Sequence, residues 1–293
     1  MDIRVLKYFL AVVREENITK AAEILHVTQP TLSRQLAKLE EDFGVQLFLR
    51  GKKGITLTEE GMLLRRRAEE IVELADKTES ELSAHEEMVA GEITIGSGEL
   101  AAVQILPKIF QSFKEKYPHV IFDLYTANAD QIKQRLDNGL TDIGILLEPV
   151  EIEKYDFIRF HIPERWVVVM RADDPMAKKE SITIKDLVQL PLIFVKRQSV
   201  KNEVESWFRE SIDKLNIVAL SNMSTNAAIL VEQGFGYALV IEGSLPFLDT
   251  TKICYRPLSP GRASTSVLAW KKNQPFAPAV KKFLEHILSA LED

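Results

Sequence analysis

Cysteine is nearly absent from this chain of 293 residues, where Cys254 stands alone. A single thiol excludes an internal disulfide and any cysteine-based metal cluster, which fits a reducing compartment. The five histidines, His26, His85, His119, His161 and His286, fall in separate stretches without metal-ligand spacing. No apolar run approaches the roughly 20 residues that span a bilayer. The N-terminus has Asp2 and Arg4 among its apolar residues and no continuous apolar segment of the signal-peptide kind. The expectation is a cytoplasmic protein with no membrane partner. An excess of positive charge is also missing: 37 Lys and Arg face 43 Asp and Glu, for a net charge of -6. That excludes a generally basic nucleic-acid coat and leaves room for a local basic surface.

What the chain does have is concentrated near its start. Leu32, Leu36, Leu39 and Phe43 recur at intervals of four, three and four, which predicts one buried stripe on a helix. Thr28 can cap its start, Pro30 is tolerated in its first turn, and Gly44 suits its stop. Pro30, Ser33, Arg34, Ala37 and Lys38 then face the other way. Before it, Ile3 to Val13 predict a first helix and Asn17 or Thr19 caps a second, in which Ala21, Ala22 and Leu25 permit close helix approach. Two short helices joined at Val27-Thr28-Gln29 make a helix-turn-helix. After Gly44, Val45 to Arg50 and Ile55 to Leu57 alternate about the basic turn Gly51-Lys52-Lys53-Gly54, predicting a hairpin with a positive tip. Glu40, Glu41 and Asp42 gather at the far end of the helix, so its N-terminal half is left positive. Gln29 and Arg34 are types that make bidentate contacts with base edges, Thr31 and Ser33 can bond to phosphate or base, and Lys38 adds charge.

The segment from Ala21-Ala22 through Gln29-Pro30-Thr31-Leu32-Ser33-Arg34-Gln35, Leu39-Glu40, Gly44, Leu47-Phe48-Leu49-Arg50 and Leu57-Thr58-Glu59-Glu60-Gly61 resembles the winged helix-turn-helix of LysR-type transcriptional regulators. The match runs without gaps over about sixty residues and is far more specific than a short motif. The resemblance implies that Gln29, Pro30, Ser33 and Arg34 approach DNA and that Arg50, Lys52 and Lys53 lie on the wing.

Thr58 can cap a further helix, with Glu59 and Glu60 in its first turn and no proline before about Met88. Leu64, Ala68, Ile71, Ala75, Thr78 and Leu82 form a seam close to a 3.5-residue period, which predicts a partner helix. The resemblance implies a homodimer built there, further paired into a homotetramer, with two recognition helices meeting the half-sites of a double-stranded operator.

Beyond Val89-Ala90-Gly91, read as a hinge, apolar strands alternate with amphipathic helices. The order is Glu92 to Gly96, a helix near Leu100 to Tyr117, Val120 to Thr126, a helix near Ala129 to Asn138, and Asp142 to Leu147. This βαβαβ run predicts a mostly parallel sheet. A second set follows: Trp166 to Met170, Leu192 to Val195, a helix near Asn202 to Asn216, Ile217 to Leu220, a helix near Asn226 to Gln233, and Tyr237 to Ile241. The chain then returns through Ser264 to Trp270 and a helix from Pro275 to Leu291. The stretches Asn138 to Ile145, Asp174 to Ala177 and Val231 to Gly236 are similar to the effector-binding domain of the same family, itself similar to periplasmic binding proteins. Val240-Ile241 departs from it where many members place a proline.

The expected architecture is therefore multidomain. An all-α winged helix-turn-helix with a small β wing occupies 1–58, a long linker and dimerisation helix 59–90, and a two-lobed α/β effector-binding domain 91–293. Lobe I is about 91–162 with 267–293, and lobe II is about 163–266.

In such lobes ligands sit at strand carboxyl ends and helix N-termini. Those ends carry Ser97, Gly98 and Glu99; Thr126 and Asn128; Lys196, Arg197, Gln198 and Ser199; and Met223 and Ser224. Their hydroxyls, amides and two cations suit a small anionic effector such as a carboxylate. Glu99 opposes an anion unless it meets an amino group or points away. A competing reading takes Gly96-Ser97-Gly98-Glu99-Leu100-Ala101 as a G-x-G-x-x-A fingerprint, giving a nicotinamide-dinucleotide-binding enzyme or redox sensor fused to a DNA-binding domain. Against it, Asp123, the only acid near the next strand, lies in mid-strand rather than at its end. Ser211-x-x-Lys214 has no accompanying S-D-N or K-T-G element. No catalysis, cofactor or metal is expected.

Overall fold

The computed structural model describes residues 2–51, 54–83 and 89–292. Contacts divide the chain into two units, Met1–Ser83 and Ala84–Asp293.

In the first unit each helix boundary has a local cause. Helix α1 (Ile3–Glu15) begins at Asp2, whose carboxylate accepts the Arg4 N–H at 2.8 Å. Helix α2 (Ile18–Ile24) is capped by Asn17, which accepts from the Lys20 N–H at 3.1 Å. Helix α3 (Gln29–Phe43) starts at Thr28, carries Pro30 in its first turn and stops at Gly44, whose φ of 65° suits a residue without Cβ. Leu32, Leu36 and Leu39 are buried and join Leu6, Phe9, Val12, Ala21, Ala22 and Ala68 in one core. Burying each such leucine contributes roughly 2 kcal/mol. The fourth stripe residue corrects the expectation, because Phe43 is 44% exposed. The chain turns away at Gly44, and Leu47 and Phe48 of the wing fill the next space in the core.

The wing pairs β1 (Phe48–Gly51) with β2 (Gly54–Leu57) antiparallel, Phe48 opposite Leu57. Thr58 then caps α4 (Glu59–Ser83), accepting the Gly61 N–H at 2.9 Å while its hydroxyl donates to the Gln46 carbonyl at 2.7 Å. The 25 residues of α4 run for roughly 37 Å. Continuation toward Met88 lies outside the described residues. The predicted seam needs correction as well. Ala68 is buried in the unit's own core with Leu64 and Ile71 packed beside it. The apolar residues left in water on α4 are Met62, Leu63, Leu74 and Leu82. Strict 3.5-residue spacing did not distinguish a seam for a partner from one that covers α1, which packs along α4 in the same unit.

The second unit holds two sheets. Strand β3 (Gly91–Ser97) leads through a 3-10 turn at Ala101–Ile105 into α5 (Leu106–Lys116), then β4 (Val120–Thr126), α6 (Ala129–Asp137), β5 (Ile143–Leu147) and β6 (Tyr155–Arg159). The chain crosses into the second sheet with β7 (Glu164–Arg171). It continues through β8 (Ile182–Thr183), α7 (Ile184–Leu187), β9 (Pro191–Val195), α8 (Gln198–Phe208), β10 (Asn216–Ser221), α9 (Ser224–Glu232), β11 (Tyr237–Ile241), β12 (Ile253–Ser259) and β13 (Ala263–Ser264). It returns with β14 (Ser266–Lys271) and ends in α10 (Pro278–Glu292). The first sheet has the order β4-β3-β5-β14-β6, with β3, β4 and β5 parallel and β14 antiparallel to both its neighbours. The second has β10-β9-β11-β7-β12-β8, with β13 also on β7.

Helix α8 begins earlier than Asn202 and ends at Phe208, and residues 209–214 form a 3-10 segment rather than a continuation of it. At the two crossings the fully buried Glu164 accepts from the N–H groups of Ala101 at 2.8 Å and Ala102 at 3.1 Å and from the Ser266 hydroxyl at 3.1 Å. One carboxylate thus fixes the outgoing strand, the returning strand and the turn after β3.

Candidate DNA-reading surface and ligand cleft

The α3 face opposite the leucine stripe is polar and in water. Gln29, Pro30, Thr31, Arg34 and Lys38 are exposed and Ser33 is half-buried. The hydroxyls of Thr28 and Thr31 lie 2.8 Å apart, so Thr31 shares in the cap. Arg34 and Lys38 have no hydrogen bond or ion pair with any described residue, which leaves both cations free for an external anion. The Arg50 side chain, and Lys52 and Lys53 altogether, lie outside the described residues; the backbone of Arg50 is in β1, opposite Ile55. Sequence reading passed over Arg66. In the run Arg65-Arg66-Arg67, the outer two pair with Glu69 and Glu70. Arg66 is exposed and without a partner among the described residues. Three consecutive arginines just after the wing were the available signal.

Within the second unit a cavity of about 110 Å³ lies between the two sheets. From lobe I it is lined by Gly98, Glu99, Leu100, Asn128, Ile145 and Leu147, and from lobe II by Trp166, Phe194, Lys196, Arg197, Met223, Ser224 and Leu239, among others. Seven of the residues expected from sequence therefore meet there: Gly98, Glu99, Asn128, Lys196, Arg197, Met223 and Ser224. Four do not. Ser97 is buried within β3, Thr126 faces water, Ser199 is exposed on the first turn of α8, and Gln198 donates to Asn202 at 2.6 Å. Each stands at a strand or helix end as anticipated, but the pleat and the first turn of α8 aim these side chains elsewhere. The apolar lining from Trp166, Phe194, Ile145 and Leu239 was read from sequence only as strand core.

The polar groups at the cavity are largely committed. Asn128 caps α6, accepting from Asp130 N–H and Gln131 N–H, both at 3.0 Å. The Arg197 side chain, 9% exposed, crosses to lobe I, where it donates to the carbonyls of Leu147 at 2.9 Å and Pro149 at 2.8 Å and meets the Asp130 carboxylate at 3.2 Å. Glu99 crosses the other way. Its carboxylate accepts from Ser224 N–H at 2.5 Å, from Thr225 N–H at 3.2 Å and from the Thr225 hydroxyl. Lys196 is exposed and unpaired among the described residues.

The geometry also disposes of the dinucleotide fingerprint. A Cβ on Gly96 would lie 2.7 Å from the Ile132 side chain, so that glycine serves the packing of α6 on β3. The N–H groups of Ala101 and Ala102, which would face a pyrophosphate, are already held by the buried Glu164 carboxylate. A second negative group cannot share that place.

Comparison with known proteins gives two family matches. Residues 3–62 match the model for the bacterial regulatory helix-turn-helix protein of the lysR family, and residues 86–292 match the LysR substrate binding domain. The chain is 31% identical over 290 residues to the Hca operon transcriptional activator HcaR of Escherichia coli (strain K12), covering 97% of this chain and 96% of that protein. It is 33% identical over 295 residues to the HTH-type transcriptional regulator BsdA of Bacillus subtilis (strain 168), covering 97% and 99%. Among solved structures it superposes on CbnR, a LysR family transcriptional regulator, with a TM-score of 0.77 and 24% identity over 100% of both chains.

Proposed function

This chain belongs to the LysR family of bacterial DNA-binding transcriptional regulators, and from that premise we propose how the work is divided along it. It is a regulator and not an enzyme. Residues 1–58 are the DNA-binding domain, 59–90 the linker and dimerisation segment, and 91–293 the effector-binding domain. Helix α3 enters the major groove of a double-stranded operator, where Gln29 and Arg34 meet base edges and Thr31, Ser33 and Lys38 meet phosphate or base, with Pro30 at the approach. Arg50, Lys52 and Lys53 on the wing neutralise the flanking backbone. The observation that supports this reading is the pair of unpartnered cations, Arg34 and Lys38, on the polar face of a helix whose other face is buried. CbnR has been solved in complex with its target DNA.

The chain works as a homodimer, assembled further into a homotetramer, in a cytoplasmic setting. Among the described residues no helix is long and apolar enough to cross a membrane. The cavity between the lobes takes a small-molecule effector with an apolar body and a carboxylate or other anionic group. Its binding alters the lobe arrangement because it favours one arrangement over the other, and the segment Val89–Gly91 and the paired linker helices carry that change to the DNA-binding domains.

The test is Arg34→Ala. Sequence-specific operator binding in a gel shift is lost while the oligomer measured by sedimentation is unchanged; unaltered specific binding would remove α3 from its assigned role. Affinity of the wild type also falls steeply with salt. For the cleft, Trp166 in the lining makes intrinsic fluorescence a reporter in a screen of aromatic and aliphatic carboxylates.

A further inference from the structure

Helix α9 has no cap of its own. Its N-cap residue is Met223, which makes no side-chain bond to the first turn, where Ser, Thr, Asp or Asn would ordinarily satisfy a free N–H. The missing acceptor comes from the opposite lobe. Glu99, in the loop after β3, places one oxygen on Ser224 N–H at 2.5 Å and Thr225 N–H at 3.2 Å and the other on the Thr225 hydroxyl. A carboxylate thus sits on three convergent donors beside a cavity whose remaining wall is mainly hydrocarbon, including Trp166, Ile145, Phe194 and Leu239. At the same cavity Arg197 ties lobe II to the Leu147 and Pro149 carbonyls of lobe I. The two clasps run in opposite directions and use opposite charges.

We propose that Glu99 is a built-in stand-in for the effector's carboxylate and sets the ligand specificity of the cleft. This rests on the reading of the cavity as the effector site. An anionic ligand binds by taking the three donors from Glu99, and that exchange releases lobe I from α9. Replacing one carboxylate by another leaves the hydrogen-bond count nearly unchanged, so the drive comes from burying the ligand's apolar body against the lining. The ligand binds the released form better than the clasped form, and that difference is what a regulatory shift requires. A neutral amide analogue, which carries one acceptor oxygen in place of two, competes less well. Glu99 therefore lowers the affinity for every anion and makes the response depend on the size and shape of the apolar part.

The experiment uses the full chain as wild type, Glu99→Ala and Thr225→Val, with sodium benzoate, benzamide and sodium chloride at matched ionic strength as probes. Hydrogen exchange of the peptide containing Ser224 and Thr225 is followed by mass spectrometry. Without ligand, exchange in Glu99→Ala is about tenfold faster than in the wild type. Benzoate restores protection in Glu99→Ala, whereas benzamide and chloride do not, and the change it causes in tryptophan fluorescence, with Trp166 in the lining, needs at least a tenfold higher benzoate concentration in the wild type than in Glu99→Ala. Thr225→Val keeps the carboxylate and loses one donor, so it shows a smaller acceleration and a weaker anion effect, which separates loss of the clasp from loss of the fold. Equal exchange in the wild type and Glu99→Ala overturns the clasp. Benzoate that fails to protect Glu99→Ala, or that changes tryptophan fluorescence at the same concentration in both proteins, overturns the stand-in. Failure of the regulator reading shows separately, as absence of operator binding by the wild type in a gel shift.

Discussion

The Glu40 side chain of α3 accepts the Leu47 backbone N–H at 2.7 Å, and the same oxygen takes the Phe48 N–H at 3.2 Å. Leu47 and Phe48 are both buried, so this carboxylate satisfies two part-buried donors and ties the start of the wing to α3. Glu40→Ala leaves both amides unsatisfied at about 1–3 kcal/mol each. Hydrogen exchange at Leu47 and Phe48 then accelerates at least tenfold and operator affinity falls, while Glu40→Gln, which keeps an acceptor oxygen, retains most of both. An Ala variant with native exchange at those amides would show that the wing is fixed by its apolar contacts alone.

The exposed leucines of α4 lead to a prediction about assembly. Leu63 and Leu74 are eleven residues apart, about three turns, and so lie nearly in line along the helix. Both are solvent-exposed, whereas Leu64, Ala68 and Ile71 cover the core of their own unit. In the proposed dimer the partner helix is therefore expected on the Leu63 and Leu74 side. The double substitution Leu63→Glu and Leu74→Glu weakens the dimer at least tenfold in sedimentation equilibrium with little change in the chain's helical circular dichroism. Leu64→Ala has the opposite signature, a less stable fold with the dimer largely kept.

Those two cases mark where sequence stops being enough. Helix α3 was legible because its cap, stripe and stop are all local: Thr28, the leucines and Gly44 each act within a turn of their own position. Phe43 was not, since its exposure depends on where the chain goes after the helix. The α/β alternation around β3, β4 and β5 was equally plain. Strand β12 forms no part of the sequence expectation; it contains Pro257, which argues against an interior strand, yet it pairs with both β7 and β8. At the cleft, the strand ends carrying ligand-type residues could be read in order. Whether Ser97 or Glu99 turns toward the other lobe depends on the pleat of β3 and on the loop beyond it. The partner of Arg197 was beyond reach, because Asp130 and the Leu147 and Pro149 carbonyls come from distant segments of chain.

Arg197 reaches two carbonyls and a carboxylate with one planar group, a task that depends on its fork as much as on its charge. Arg197→Lys keeps the charge and loses the simultaneous contacts. The lobes then separate more readily on that side, so acrylamide quenching of tryptophan fluorescence rises, since Trp166 lies buried in the cavity wall. Quenching identical to that of the wild type would mean that the cleft is held without this contact.

Acid behaviour follows from two carboxylates in lobe II and lobe I. Asp186 accepts from Lys179 at 2.6 Å, from Thr183 N–H at 2.9 Å and from the Thr183 hydroxyl at 2.8 Å, and these bonds, the Lys179 ammonium first, lower its pKa to about 2. Glu148 is held below its ordinary value by the Arg159 guanidinium, which bonds it at 3.2 and 3.0 Å, and by the Thr265 hydroxyl. A carboxylate in the unfolded chain titrates near 4. Both folded values lie lower, so each group stabilises the fold above about pH 4 and loses that contribution as pH falls through its folded value. The Asp186 side chain is 26% exposed, and solvent screening keeps the effect modest. The unfolding temperature of the wild type accordingly exceeds that of Asp186→Asn at pH 6, and the gap narrows between pH 4 and pH 2 in paired calorimetric scans. A gap that stayed constant over that range would place the stabilising role of Asp186 in its shape as a cap rather than in its charge.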